Sequence, residues 1–213
     1  MFLGARVMLA AAVVMALSVC DAGAQIGNRL AVGASVIGRL ANSSDAGGGT
    51  DVGLEIRMAR DDPGWGWQGT FFNWFDTGVR EPITARPMAV GNLRVRPILA
   101  GFGYTWNRGH TTITADVVGG YTVNSFELSP AALAEYSQRL GATGVESEAT
   151  NAFAIKPEIQ VWYDLNRRFG LKLTGGYLRA RPSVVVRSSL GQDVRPVRAD
   201  TVLVTVGVLY SIF

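Results

Sequence analysis

Along most of the chain, apolar and polar residues alternate with period two, the mark of β-strands whose two faces meet different surroundings. Residues 50–60 show it most clearly: Thr50, Val52, Leu54, Ile56 and Met58 share one face, and Asp51, Gly53, Glu55, Arg57 and Ala59 share the other. Residues 30–40 repeat the rhythm, with Ile37 an exception on the polar face, and so do 112–124, 153–165, 169–177 and 201–212. Residues 65–75 and 93–106 are rich in aromatics on both faces, with Arg94 and Arg96 opposite Leu93 and Val95. Eight strands and an all-β fold are predicted.

The connections alternate in length. Turn-forming residues at 61–64, 107–109 and 166–168 join strands tightly, whereas 41–49, 78–91, 127–150 and 180–199 form longer loops. Short turns therefore gather on one rim and long loops on the other, as in outer-membrane barrels with periplasmic turns and extracellular loops. With the first strand running upward, the lower ends hold Trp65, Trp67, Tyr104, Trp106, Trp162, Tyr163, Phe169, Tyr210 and Phe213, and the upper ends hold Phe72, Trp74, Phe75, Tyr121, Phe126, Phe153 and Tyr177. Two such girdles are expected where amphipathic rings meet membrane interfaces. A strand of about 11 residues, tilted about 40°, climbs about 27 Å, close to the ~25 Å apolar band of such barrels.

Near the N-terminus Arg6 precedes an apolar run over 7–19, and Ala22, Gly23 and Ala24 before Gln25 supply a small-residue cleavage signature. Residues 1–24 are predicted to be a secretory signal peptide and 25–213 the exported barrel domain. The run is short of the roughly 20 residues a spanning helix needs, and the bulk of Val19 disfavours lipidation at Cys20. In all, 213 residues include one Cys, one His, 20 Lys+Arg and 17 Asp+Glu. That excludes a disulfide framework and a Cys-rich zinc site, and no cofactor or metal is expected. Export and the absence of a basic stripe remove the case for nucleic acid.

Hydrocarbon cannot satisfy backbone N–H and C=O groups, so strands that cross it must close on themselves with the greasy face outward. The fold expected is an eight-stranded antiparallel up-and-down transmembrane β-barrel. Eight staves leave a lumen about wide enough for side chains to fill. The set expected inside carries both signs: Arg39, Asp51, Glu55, Arg57, Arg94, Arg96, Asp116, Lys156, Glu158 and Lys172. An ion-pair plug is expected rather than an open channel.

The export signal, the eight segments, the alternating connections and the closing residues 206–213 together resemble the small bacterial outer-membrane β-barrels of the OmpA-transmembrane-domain and OmpX type. The resemblance is architectural and spans the whole mature chain. It implies an outer-membrane address, membrane lipid as surroundings and recognition of the last strand by the barrel-assembly machinery, with Tyr210, Ile212 and Phe213 as the assembly signal. Ser211 stands where that family usually has an aromatic, which leaves the register of the last strand open.

Candidate chemistry is sparse. His110, the only histidine, follows the turn at 107–109 on the periplasmic rim, away from the side where lipid substrate would arrive, so no catalytic residue is assigned. Asp51 and Glu55 share a strand face with Arg57 and fit an ion-pair network better than acid–base work. Asp45 and Gly47 to Gly49 lack the Lys-Ser/Thr and helix of a phosphate loop. Ser129, Pro130 and Gly141 bracket a short loop helix whose Leu133, Tyr136 and Leu140 are expected to pack on the barrel mouth. Residues 184–187 and 194–198 are expected to form a hairpin, and its Arg181, Arg187, Arg195 and Arg198 fit two readings equally, contact with lipopolysaccharide phosphates or solvated loop charge. The function expected is that of a monomeric, non-enzymatic barrel with a mostly filled polar lumen and loops for envelope structure or surface ligands. A narrow pore is the alternative, and a lipid-modifying enzyme is disfavoured.

Overall fold

The period-two segments pair into one closed antiparallel sheet and a smaller sheet above it. The computed structural model describes residues 28–41, 47–71, 74–81 and 88–212. The expected signal peptide, Cys20, Asp45, Phe72 and Phe213 lie outside the described residues. In chain order come β1 (Asn28–Ala41), β2 (Gly49–Arg60), β3 (Gly64–Phe71), β4 (Phe75–Glu81), β5 (Met88–Arg108) and β6 (Thr111–Leu128). After a loop helix follow β7 (Glu146–Ala149), β8 (Ala152–Asp164), β9 (Phe169–Ala180), β10 (Ser183–Ser188), β11 (Gly191–Pro196) and β12 (Thr201–Ser211).

The order β3-β2-β1-β12-β9-β8-β6-β5-β4 closes because β3 also pairs with β5. β3 and β4 are two halves of one stave, so the barrel has eight. The single strand expected over 65–75 is corrected by this break, and the reason is a register slip. Phe71 pairs with Ile98, whereas Phe75 pairs with Val95, one residue out of step. Gln68 and Thr70 therefore point inward from β3, and Phe75, Thr77 and Val79 point inward from β4. Aromatics fall on both faces of this sequence because its faces exchange at the break.

Among the described residues, β2 pairs with β3 over only three positions, 56 to 58, and has no ladder with β4. The first loop covers this seam: the Gly47 N–H donates to the Gly78 carbonyl at 2.8 Å, and its own carbonyl accepts from Thr77 Oγ1 at 2.9 Å. Elsewhere the wall is tight. A Cβ on Gly101 would lie 2.0 Å from the Val117 carbonyl oxygen, and one on Gly120 would lie 2.1 Å from that of Ile98. Only glycine permits so close a crossing of β5 and β6.

All three short turns lie on one rim. The long connections lie on the other, where β7, β10 and β11 form a three-stranded sheet. The expected hairpin is present as β10 and β11, and Pro182 separates it from β9. Val184 and Val186 turn inward with Val197 and Ala199 to cover the mouth. The helix α1 (Pro130–Ala134) begins as expected, with Ser129 Oγ accepting from the Ala132 N–H at 3.1 Å. It then widens into a five-residue turn, in which the Leu140 N–H donates to the Glu135 carbonyl. The widening changes which side faces the barrel. Ala132 is buried and Tyr136 packs on the core, but Leu133 and Leu140 are exposed, contrary to the expected face.

An apolar belt surrounds the outside. Val36, Leu54, Ile98, Val117, Ile159, Leu173 and Val206 are all at least two-fifths exposed, an arrangement that water would penalise at roughly 25 cal/mol per Å² and that hydrocarbon accommodates. At the short-turn rim Trp65, Phe102, Tyr104 and Trp106 interlock with ring centroids 4.6 to 6.0 Å apart. Phe169 meets Tyr210 at 5.2 Å, and near the other rim Tyr121 meets Phe153 at 6.1 Å. Three residues expected in these girdles, Phe75, Phe126 and Trp162, instead face inward and are buried.

Candidate functional site in the barrel lumen

Inward positions of β1, β2, β6, β8 and β9 place a continuous polar network across the half of the lumen nearer the short turns. At its base Arg29 bridges Asp61 at 2.8 Å and Asp164 at 2.5 Å. Asp164 also accepts from the indole N–H of Trp162 at 2.7 Å. The guanidinium groups of Arg29 and Arg57 lie 5.3 and 5.2 Å from that ring, a double cation–π contact. Arg57 Nε donates to Gln160 Oε1 at 2.8 Å, and Gln160 Nε2 donates to Asp116 Oδ2 at 2.6 Å and Glu158 Oε1 at 3.1 Å. Lys156 Nζ lies 2.6 Å from Glu158 Oε2, and Lys172 Nζ pairs with Glu55.

Of the ten charges expected inside, Glu55, Arg57, Asp116, Lys156, Glu158 and Lys172 stand together in this layer, and all six are buried. Arg39 and Asp51 are paired at 2.8 Å but sit at the opposite end, where Arg39 lies over Phe75 and donates to the Gly47 carbonyl. Arg94 and Arg96 are not in the lumen. They alternate with buried Leu93 and Val95, and their side chains point outward.

That correction exposes a second layer. Above the charges an apolar cluster fills much of the lumen, with buried Arg39, Thr77, Thr122 and Asn124 beside it: Ile37, Phe75, Leu93, Val95, Leu99, Val118, Phe126, Leu178 and Leu203 pack together and against Val184, Val186 and Val197 of the cap. The interior is thus polar only in part. Ile37, an exception in the alternation of β1, belongs to this layer. Gln160 and Asp164 share the polar face of β8 with Lys156 and Glu158 in the sequence pattern, and both face the lumen as that parity implies, whereas Arg29 and Trp162 are additions. The same parity along β8 is the signal that places Trp162 inside rather than in the girdle.

A buried charge without a partner costs several kcal/mol, so six buried ionisable groups are tolerable only as an interlinked set. Chemically the layer is an interlocked set of charge pairs and hydrogen bonds that ties β1, β2, β6, β8 and β9 together across the lumen. Its nucleophile-poor groups are engaged with one another, and the exposed His110 lies on the rim with its ring 6.4 Å from Tyr163. Of the loop arginines, Arg187 pairs with Glu148 at 2.5 Å and Arg195 with Asp193 at 2.7 Å.

A closed eight-stave antiparallel wall with an apolar exterior defines the class: this is a small outer-membrane-type β-barrel. Among solved structures, the chain resembles the outer membrane protein OprG of Pseudomonas aeruginosa, with a TM-score of 0.67 at 12% identity over 87% of this chain and 96% of that one. It also resembles outer membrane protein W of E. coli, with a TM-score of 0.52 at 12% identity over 87% and 98% of the two chains. A major outer membrane protein of Thermus thermophilus superposes with a TM-score of 0.50 at 10% identity over 87% and 99%. No protein-family model and no curated protein sequence matches the chain.

Proposed function

We propose that this protein is an integral outer-membrane barrel without enzymatic activity, whose sealed lumen makes it a structural and surface-binding element of the envelope. The observation that carries this reading is the double closure of the lumen. Arg29, Asp164, Trp162, Arg57, Gln160 and Asp116 connect side chain to side chain across one half, and the Ile37, Leu93, Leu178 and Leu203 layer fills the other beneath the β7–β10–β11 cap. Ions would have to break buried charge pairs and then cross an apolar plug. On this reading the long-loop rim is external and the short turns are periplasmic, which leaves the loops and the outer wall as the surfaces that meet partners.

Planar-bilayer recording with pure refolded protein tests it. The expected trace is flat at the single-molecule level, and defined unitary steps would show a pore.

A further inference from the structure

The outward face of β5 is apolar or aromatic from Trp106 to Ile98 and then changes character, its next two outward residues being Arg96 and Arg94. Both stand where the belt ends toward the long-loop rim, the height of lipid headgroups. The Arg96 guanidinium lies 5.3 Å over the ring of Trp74, and its Nε is shielded from water without a hydrogen-bond partner. Arg94 is oriented by a two-point contact with Asp76, at 2.7 and 3.0 Å, and the Asn92 amide braces the same carboxylate at 3.3 Å. Asp76 thus offsets one of the two positive charges. Arg96 has no ion-pair partner among the described residues.

These residues border the seam where β2 has no ladder with β4. A cavity of about 200 Å³ lies there, lined by Asp51, Val52, Trp74, Phe75, Asp76 and Arg94. Val52 and Leu54 on the β2 side, 76% and 73% exposed, are the two most exposed large apolar side chains among the described residues. In this cavity Val52, Trp74 and Phe75 stand beside two carboxylates that are already neutralised, Asp51 by Arg39 and Asp76 by Arg94. Arg96 lies over Trp74 at its edge, so an acyl chain and a phosphate find an apolar wall and one remaining positive charge. Arginine donors fit phosphate oxygens in pairs.

We propose that Arg96 and Arg94, with Trp74 and the β2–β4 seam, form a binding site for a phosphorylated lipid of the outer leaflet. Its phosphate sits on the guanidinium donors, and an acyl chain lies against Val52 and Leu54. The assignment to the outer leaflet rests on the external reading of the long-loop rim.

The test is retention of diphosphoryl lipid A by refolded protein released from mixed phosphatidylcholine micelles, read by native mass spectrometry. Heat-modifiable gel migration verifies folding of each variant. Loss of a charge-assisted contact predicts a fall in retention of about tenfold or more for Arg96→Gln. Arg94→Gln, expected to lower retention by a smaller factor, carries the test if Arg96→Gln does not fold. Arg179→Gln, an exposed outward arginine on β9, is expected to retain lipid like the parent. Lipid A stripped of both phosphates is expected not to be retained, and excess inorganic phosphate is expected not to displace the intact lipid.

Parent-like retention by folded Arg96→Gln would overturn the site, and so would an equal loss in Arg179→Gln, which would reduce it to general rim charge. Equal retention of the stripped lipid would reduce it to acyl adhesion, and displacement by inorganic phosphate would make it a free-anion site. Orientation is read separately by adding a membrane-impermeant maleimide to intact cells that carry Leu190→Cys, a position 63% exposed at the tip of the β10–β11 hairpin. Labelling is expected, and protection there would overturn the outer-leaflet assignment even with retention intact.

Discussion

Lys172 on β9 and Glu55 on β2 meet inside the barrel, 117 residues apart in sequence, with both side chains shielded from water. Their staves are not neighbours in the sheet, so the contact crosses the lumen rather than running along the wall. It forms only when β1 and β12, the two staves between them, hold their register and the sheet curls around the lumen. The pair therefore reports the register and curl of this half of the barrel.

Removing one partner strands a buried charge. Lys172→Met is expected to lower stability by about 3–5 kcal/mol, and replacing both residues with Met is expected to recover most of that loss. Denaturant unfolding in lipid vesicles measures both. Equal losses in the single and double variants would show that the pair acts through packing alone.

Trp162 separates lumen from girdle. Quenching by brominated lipids should be unchanged in Trp162→Phe and reduced in Trp65→Phe, because the first ring lies between two arginines and the second is exposed on the belt. Reduced quenching in Trp162→Phe would place that ring at the lipid.

The apolar layer should behave as a core. Leu178→Ala and Leu93→Ala are each expected to cost about 2–5 kcal/mol, the cost of emptying a packed site. Both positions are fully buried. Unchanged denaturant midpoints would indicate a water-filled upper lumen, where truncation leaves no cavity.

The cap depends on that layer. Val186→Asp is expected to make residues 183–196 cleavable by protease while heat-modifiable migration persists, since Val186 packs inward from a sheet separate from the barrel. Resistance equal to the parent would show that the cap is held by its edges and not by its apolar face.

Much of the wall was legible because β2 and β12 contrast sharply between faces. Val52 and Leu54 oppose Asp51 and Glu55 on β2, and a one-residue slip would put charge into hydrocarbon. β5 was misread for a physical reason. Its inward Leu93 and Val95 are as apolar as a lipid-facing pair, so hydropathy alone turned Arg94 and Arg96 the wrong way. Only the neighbours decide: Leu93 packs with Ile37 and Leu203 in an interior layer, and those residues come from opposite ends of the chain. The break between β3 and β4 was likewise hidden, because aromatics on both faces read as irregularity rather than as a register slip. The cap needs β7 to pair with β10, a contact between loops that local pattern cannot signal.

A single-cysteine spin-label scan along β12 tests the central claim most directly, since the segment from 25 onward has no cysteine. Labels at Val202, Val204, Val206 and Val208 should show high collision rates with oxygen dissolved in lipid. Labels at Leu203, Thr205 and Leu209 should be shielded both from oxygen and from a water-soluble nickel chelate. Nickel access at those inward positions would contradict a sealed lumen, and loss of the alternation would contradict the barrel.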